Sequence, residues 1–167
     1  AAEAGLEVDA DTFAIAMEAQ KVRGRAGVKD ESWTSFGGAL SEIAREVGAT
    51  EFLGYGADEV ETTVVGIVAA GTRIDRLEAG AEAEIVLAST PFYAEQGGQV
   101  GDTGIIAAGD AVFAVTDTKF PAPGLIAHVG RMESGSLYAG QSVRAAIDVD
   151  RRERIRRNHT ATHVLHW

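Results

Sequence analysis

The chain has 167 residues, 46% of them apolar and 24% charged, which fits one or two globular domains and excludes a wholly disordered chain. No run approaches the ~20 apolar residues of a membrane helix. There is no cysteine, so no disulfide holds the fold and any metal site must use His, carboxylate or another chain. The net charge of −10 is unevenly spread. Residues 1–150 carry 10 basic against 24 acidic side chains, a balance of −14, whereas residues 151–167 carry five arginines against Glu153, a balance of +4. The bulk of the chain should repel polyanions, and contact with one belongs at the C-terminal stretch.

The first predicted element is a helix that starts at Asp9 or Asp11, either of which can cap free N–H groups, and ends at Gly24 and Gly27. Phe13 and Met17 stand four apart on it. Residues 28–38 mix charge, Ser and a Gly37-Gly38 pair and read as a linker, with Trp33 and Phe36 as anchors. Residues 39–47 place Leu40, Ile43 and Val47 at helical spacing.

From about residue 50 the period changes. Residues 61–68, 82–87, 105–106, 112–116, 126–129 and 142–149 are β-branched, apolar or alternating, with Gly, Asp or Pro clusters between them. Short strands with frequent turns predict an antiparallel sandwich or a small barrel, and no βαβ alternation suggests a parallel sheet. Residues 151–167 read as helix again. The pattern stops at Trp167 without a C-terminal cap signal, so the chain is expected to be a piece cut inside a larger protein. No charged stretch followed by an apolar one opens the chain, and no secretory signal is expected.

Three motifs bear on chemistry. His159 and His163 are four apart, one helical turn, the spacing at which two imidazoles share a zinc ion. The residues between them hold no Glu, so the metalloprotease base is absent. His166 is a conceivable third ligand, and two helix histidines without metal remain the alternative. The segment from Thr90 to Gly104 has glycines at 97, 98, 101 and 104, either for close approach to a ligand or as a long turn between strands. It is no P-loop, because no Gly-Lys-Ser/Thr follows. Arg151, Arg152, Arg154, Arg156 and Arg157 surround Ile155 and either hold phosphates or are simply solvated. They sit at the positive end of the helix dipole, a mild misplacement that favours a use. His128, in an apolar strand, reads as a buried, satisfied histidine.

The run Thr90-Pro91-Phe92-Tyr93-Ala94-Glu95-Gln96-Gly97-Gly98-Gln99 with Asp102-Thr103-Gly104, followed by Ala146-Ile147-Asp148, Arg151-Arg152 and Asn158-His159-Thr160-Ala161-Thr162-His163, resembles the alanyl-tRNA synthetases in order and spacing. Residues 50–55 and the opening residues 2–9 resemble the same family. The resemblance implies a mainly β fold with flanking helices. It divides the chain into a helical segment, 1–49, from the end of the aminoacylation half, a small antiparallel β-barrel of the translation-protein type, 50–150, and the truncated start of an editing domain, 151–167.

By the same resemblance, His159 and His163 match two of four zinc ligands, the others lying in a later Cys and His, and Thr162 matches an editing-pocket threonine. Arg151, Arg152, Arg156 and Arg157 become candidates for contact with tRNA(Ala). The implied parent is a cytoplasmic alanine-tRNA ligase that uses ATP and Mg2+ in a separate catalytic domain and edits Ser- and Gly-tRNA(Ala). Flanking domains of the same chain are the other expected partners, with no membrane and no DNA. The piece alone is expected to catalyse neither reaction and to hold zinc weakly. A free-standing alanyl-tRNA editing protein and a non-enzymatic RNA- or protein-binding barrel are the alternatives.

Overall fold

The computed structural model describes residues 38–96 and 100–165, with side chains described as far as residue 157. The helix expected before Gly24, the anchors Trp33 and Phe36, the glycines 97 and 98, and His166 lie outside the described residues.

Among the described residues, helix α1 (Ala39–Val47) is followed by eleven strands: β1 (Glu51–Phe52), β2 (Glu59–Ala69), β3 (Thr72–Ile74), β4 (Arg76–Glu78), β5 (Glu82–Leu87), β6 (Ser89–Thr90), β7 (Gly104–Ala108), β8 (Ala111–Ala122), β9 (Leu125–Ser134), β10 (Ser136–Tyr138) and β11 (Ser142–Ile147). Helix α2 (Val149–Leu165) ends the described chain. Strands β2, β5, β9, β8, β7 and β11 pair in that order, and β11 returns to β2, so six antiparallel strands close a barrel. Closure leaves no unpaired edge among these six. Of the two folds the strand pattern allows, the barrel is the one formed.

Two apolar clusters explain why some strands alternate and others do not. Val64, Ile67, Ile85, Leu87, Ile106, Phe113, Met132, Val143 and Ala145 belong to the main cluster. Leu40 and Ile43 of α1 pack in a second one with Val68, Val86, Leu125 and Ala127. The first half of β2 therefore alternates exposed and buried residues, while its second half is buried on both faces and reads as a continuous apolar run.

Two stretches sixty residues apart have the same build. Leu77-Glu78-Ala79-Gly80 and Leu137-Tyr138-Ala139-Gly140 each end a short strand and turn at a glycine with φ near +86° (87° and 85°). The Gly80 N–H donates to Met132 O and the Gly140 N–H to Val64 O, both at 2.7 Å. The returns match as well, from Met132 N–H to Ala81 O and from Val64 N–H to Gln141 O, both at 2.9 Å. Leu77 and Leu137, both buried, face each other where β4 pairs with β10.

The last strand stops at Ile147, two residues short of the predicted run to 149, because Asp148 caps α2. Its Oδ1 accepts from the Arg151 N–H at 2.9 Å and its own N–H donates to Thr103 O at 2.7 Å. The helix thus begins at Val149 and is pinned by its cap to the segment before β7.

Candidate functional site

Thr90 and the described residues that follow it, 91–96 and 100–103, pack against the barrel. Thr90 is fully buried, and its Oγ1 lies 2.7 Å from Nε2 of buried His128 on β9. The other ring nitrogen, Nδ1, lies 2.8 Å from Ile85 O, which can only accept. Nδ1 therefore carries the proton, Nε2 accepts from the Thr90 hydroxyl, and Thr90 Oγ1 in turn accepts from the Phe92 N–H at 3.1 Å. The Phe92 ring stands edge-on to the imidazole at 5.0 Å. The reading of His128 as a satisfied core histidine holds. Burial lowers its pKa from 6.5 to about 4, against a smaller upward pull from the hydrogen bond to Ile85.

The loop is closed at its base by Tyr93 and Asp102. The Tyr93 N–H donates to Asp102 Oδ2 at 2.7 Å, and the Asp102 N–H donates to Tyr93 O at 2.9 Å. Asp102 O also accepts from the Thr118 hydroxyl at 2.8 Å. Gly101 sits against β8 so tightly that a Cβ there would lie 2.3 Å from Thr118 O and 2.9 Å from Thr118 N. Gly101→Ala is therefore expected to cost about 1–3 kcal/mol, since strand backbone must move to admit the methyl. Thermal unfolding followed by circular dichroism should show a midpoint several degrees lower, and an unchanged midpoint would contradict the close contact.

The arginines at the start of α2 divide into two groups. Arg152 reaches back to the segments around Gly54, Pro91 and Asp102 with its side chain 11% exposed, and pairs with Asp102, whose side chain is 6% exposed. Its Nε donates to Asp102 Oδ2 at 3.1 Å and its Nη2 to the same oxygen. Nη1 donates to Gly54 O at 3.0 Å, Nη2 to Pro91 O, and Asp58 lies 3.7 Å away. Arg151 Nη1 donates to Gly101 O at 2.7 Å. Neither is simply solvated. Arg154, Arg156 and Arg157 are exposed, and Arg156 pairs with Glu153 at 3.2 Å.

A cavity of about 260 Å³ opens beside this clamp, lined by Phe52 of β1, Tyr55 of the turn after it, Tyr93 after β6, and Ile155 and Arg156 on α2. Phe52 meets Tyr55 edge-on at 5.1 Å and Tyr93 at 6.1 Å. Asp102, Phe52 and Tyr55 carry this site, and sequence reasoning gave none of them a role. Two signals pointed to Asp102: an acid between glycines, and arginines set against the helix dipole with no stated partner.

Residues 159, 162 and 163 lie on α2, with 159 and 163 one turn apart. The helix predicted from the sequence thus forms through this motif. Among the described residues no group of three or more His, Cys, Asp or Glu gathers as a metal site. None of the described helices is long and apolar enough to cross a membrane.

Residues 1–151 match the family model described as tRNA synthetases class II (A). The chain belongs to that family. It is 45% identical over 167 residues to the alanine–tRNA ligase of Nitrobacter winogradskyi and 42% identical to that of Rhodopseudomonas palustris. Each alignment takes in 97% of this chain and 18% of the ligase. The chain thus spans under a fifth of the length of these relatives, and its resemblance to the alanyl-tRNA synthetases is supported over nearly all its residues.

Proposed function

We propose that this chain is the joint of a cytoplasmic alanine-tRNA ligase, the part that sets an editing domain at a fixed angle to the aminoacylation half and guides the acceptor end of tRNA(Ala) between them. The observation that carries the reading is the Arg152–Asp102 clamp. It fastens the first turn of α2 to the loop bearing the family's signature, so the rest of that helix inherits the barrel's orientation. Residues 159 and 163 would supply two of four zinc ligands, and Thr162 would face the editing pocket. Zinc would hold that end of the helix to later parts of the parent. ATP and Mg2+ serve the aminoacylation chemistry elsewhere in it. Arg151 and Arg152 belong to the joint, and contact with tRNA phosphates falls to exposed Arg156 and Arg157.

Arg152→Lys in the full-length ligase keeps the charge but loses the forked geometry that spans Asp102, Gly54 O and Pro91 O. Deacylation of Ser-tRNA(Ala) is expected to fall roughly tenfold or more, since small misplacements of a remote element are costly to catalysis. Alanylation of tRNA(Ala) should change far less. Equal loss of both activities, or loss of neither, would refute the joint.

A further inference from the structure

We propose that the cavity between the Phe52–Tyr55 turn and α2 is a stacking site for one unpaired nucleotide of an RNA strand, with the Tyr55 ring as its platform. The proposal deepens the tRNA ligase reading and rests on it. Tyr55 is 93% exposed and touches Phe52 in a near-perpendicular contact at 5.1 Å, so most of its ring is open to solvent. The volume of about 260 Å³ lies below the usual range for drug-sized ligands and suits one base. Arg152 and Arg156 line the cavity, and both belong to the arginine-rich stretch 151–157, in a chain whose first 150 residues carry a balance of −14. An RNA strand is thus drawn to this rim and repelled elsewhere. Asp102, on the cavity wall, is neutralised by Arg152 and does not oppose a phosphate. Arg156 at the rim is exposed, and its pair with Glu153 at 3.2 Å is of the weak, solvent-screened kind.

The chemistry also sets the kind of recognition. The Arg152 donors are spent on Asp102, Gly54 O and Pro91 O, so they do not read base edges. Binding rests on ring stacking and phosphate charge, which tolerates any base. A protein segment in the same cavity would make no use of the arginine excess unless it were acidic, so RNA is the favoured occupant.

The test uses the 167-residue chain and a single-stranded RNA hexamer carrying 2-aminopurine, whose fluorescence is quenched on stacking. The wild type should quench it. Tyr55→Ala should weaken binding roughly tenfold or more, and Tyr55→Phe should restore it. Arg156→Gln should reduce the salt slope of log K by about 0.7 while leaving the quenching at saturation intact. A blunt RNA duplex should bind without a Tyr55 effect. Equal affinity for wild type and Tyr55→Ala overturns the proposal. So does an unquenched hexamer, which leaves the cavity to a protein segment. In either case the ligase reading stands or falls separately, on the Arg152→Lys activities.

Discussion

Asp102→Ala is expected to lower the stability of the barrel by roughly 3–5 kcal/mol, the largest single-residue effect foreseen in this chain. The cause is a charge that loses its main partner. Arg152, with its side chain 11% exposed, keeps among the described residues only the exposed carboxylate of Asp58, 3.7 Å away. The Tyr93 N–H loses its acceptor at the same time. Arg152→Ala has the mirror effect, leaving the Asp102 carboxylate without its cation and removing the donors to Gly54 O and Pro91 O. Asp102→Leu with Arg152→Met together should cost less than the two single alanine changes summed, because neither charge is then left buried alone. Urea unfolding of the four proteins measures this directly. A loss under about 1 kcal/mol for Asp102→Ala would show that the pair behaves as a surface ion pair and fixes nothing.

The same clamp shows where sequence reasoning stops. Arginines at a helix start have two ordinary readings, solvated or phosphate-bound. Choosing a third, a bond into the fold, requires knowing that Asp102 sits beside them, fifty residues earlier in the chain. Elements held by local periodicity were legible. Helix α1 formed at 39–47 because Leu40 and Ile43 share one face, and the long strands formed where β-branched residues cluster. Strands of two or three residues were not legible. Glu51–Phe52, Ser89–Thr90, Arg76–Glu78 and Ser136–Tyr138 are too short to show a period and exist through partners far along the chain. The Leu-x-Ala-Gly repeat behind β4 and β10 is printed in the sequence twice. Four residues are too few to mark it as structure until the matching hydrogen bonds to Met132 and Val64 are known.

Stability should also fall with acid through His128. Its folded pKa is about 4 against an ordinary 6.5, so the folded state resists the proton that the unfolded chain takes up. Above pH ~6.5 both states are neutral and the full stability is present. As pH falls below that, the unfolded state binds more protons, and stability drops by about 1.4 kcal/mol per unit. The loss amounts to about 2 kcal/mol at pH 5 and about 3 kcal/mol once pH reaches the folded value. Below it both states are protonated and this contribution to the slope ends. Glu84, on the neighbouring strand, works in the opposite direction. Burial raises its pKa above 4.5, against a smaller lowering by Lys119, so the folded state takes up that proton first on acidification. The His128 contribution is isolated by comparing the wild type with His128→Gln at pH 7.5 and pH 5. The pH-dependent difference should shrink by about 2 kcal/mol in the variant, whatever its absolute stability. Proton NMR supplies the check that needs no mutation. The His128 ring, locked as the Nδ1–H form between Ile85 O and the Thr90 hydroxyl, should show no titration between pH 7.5 and 5.5. Titration near 6.5 would mean that solvent reaches the ring, and the packing of Thr90 and Phe92 against it would have to be redrawn.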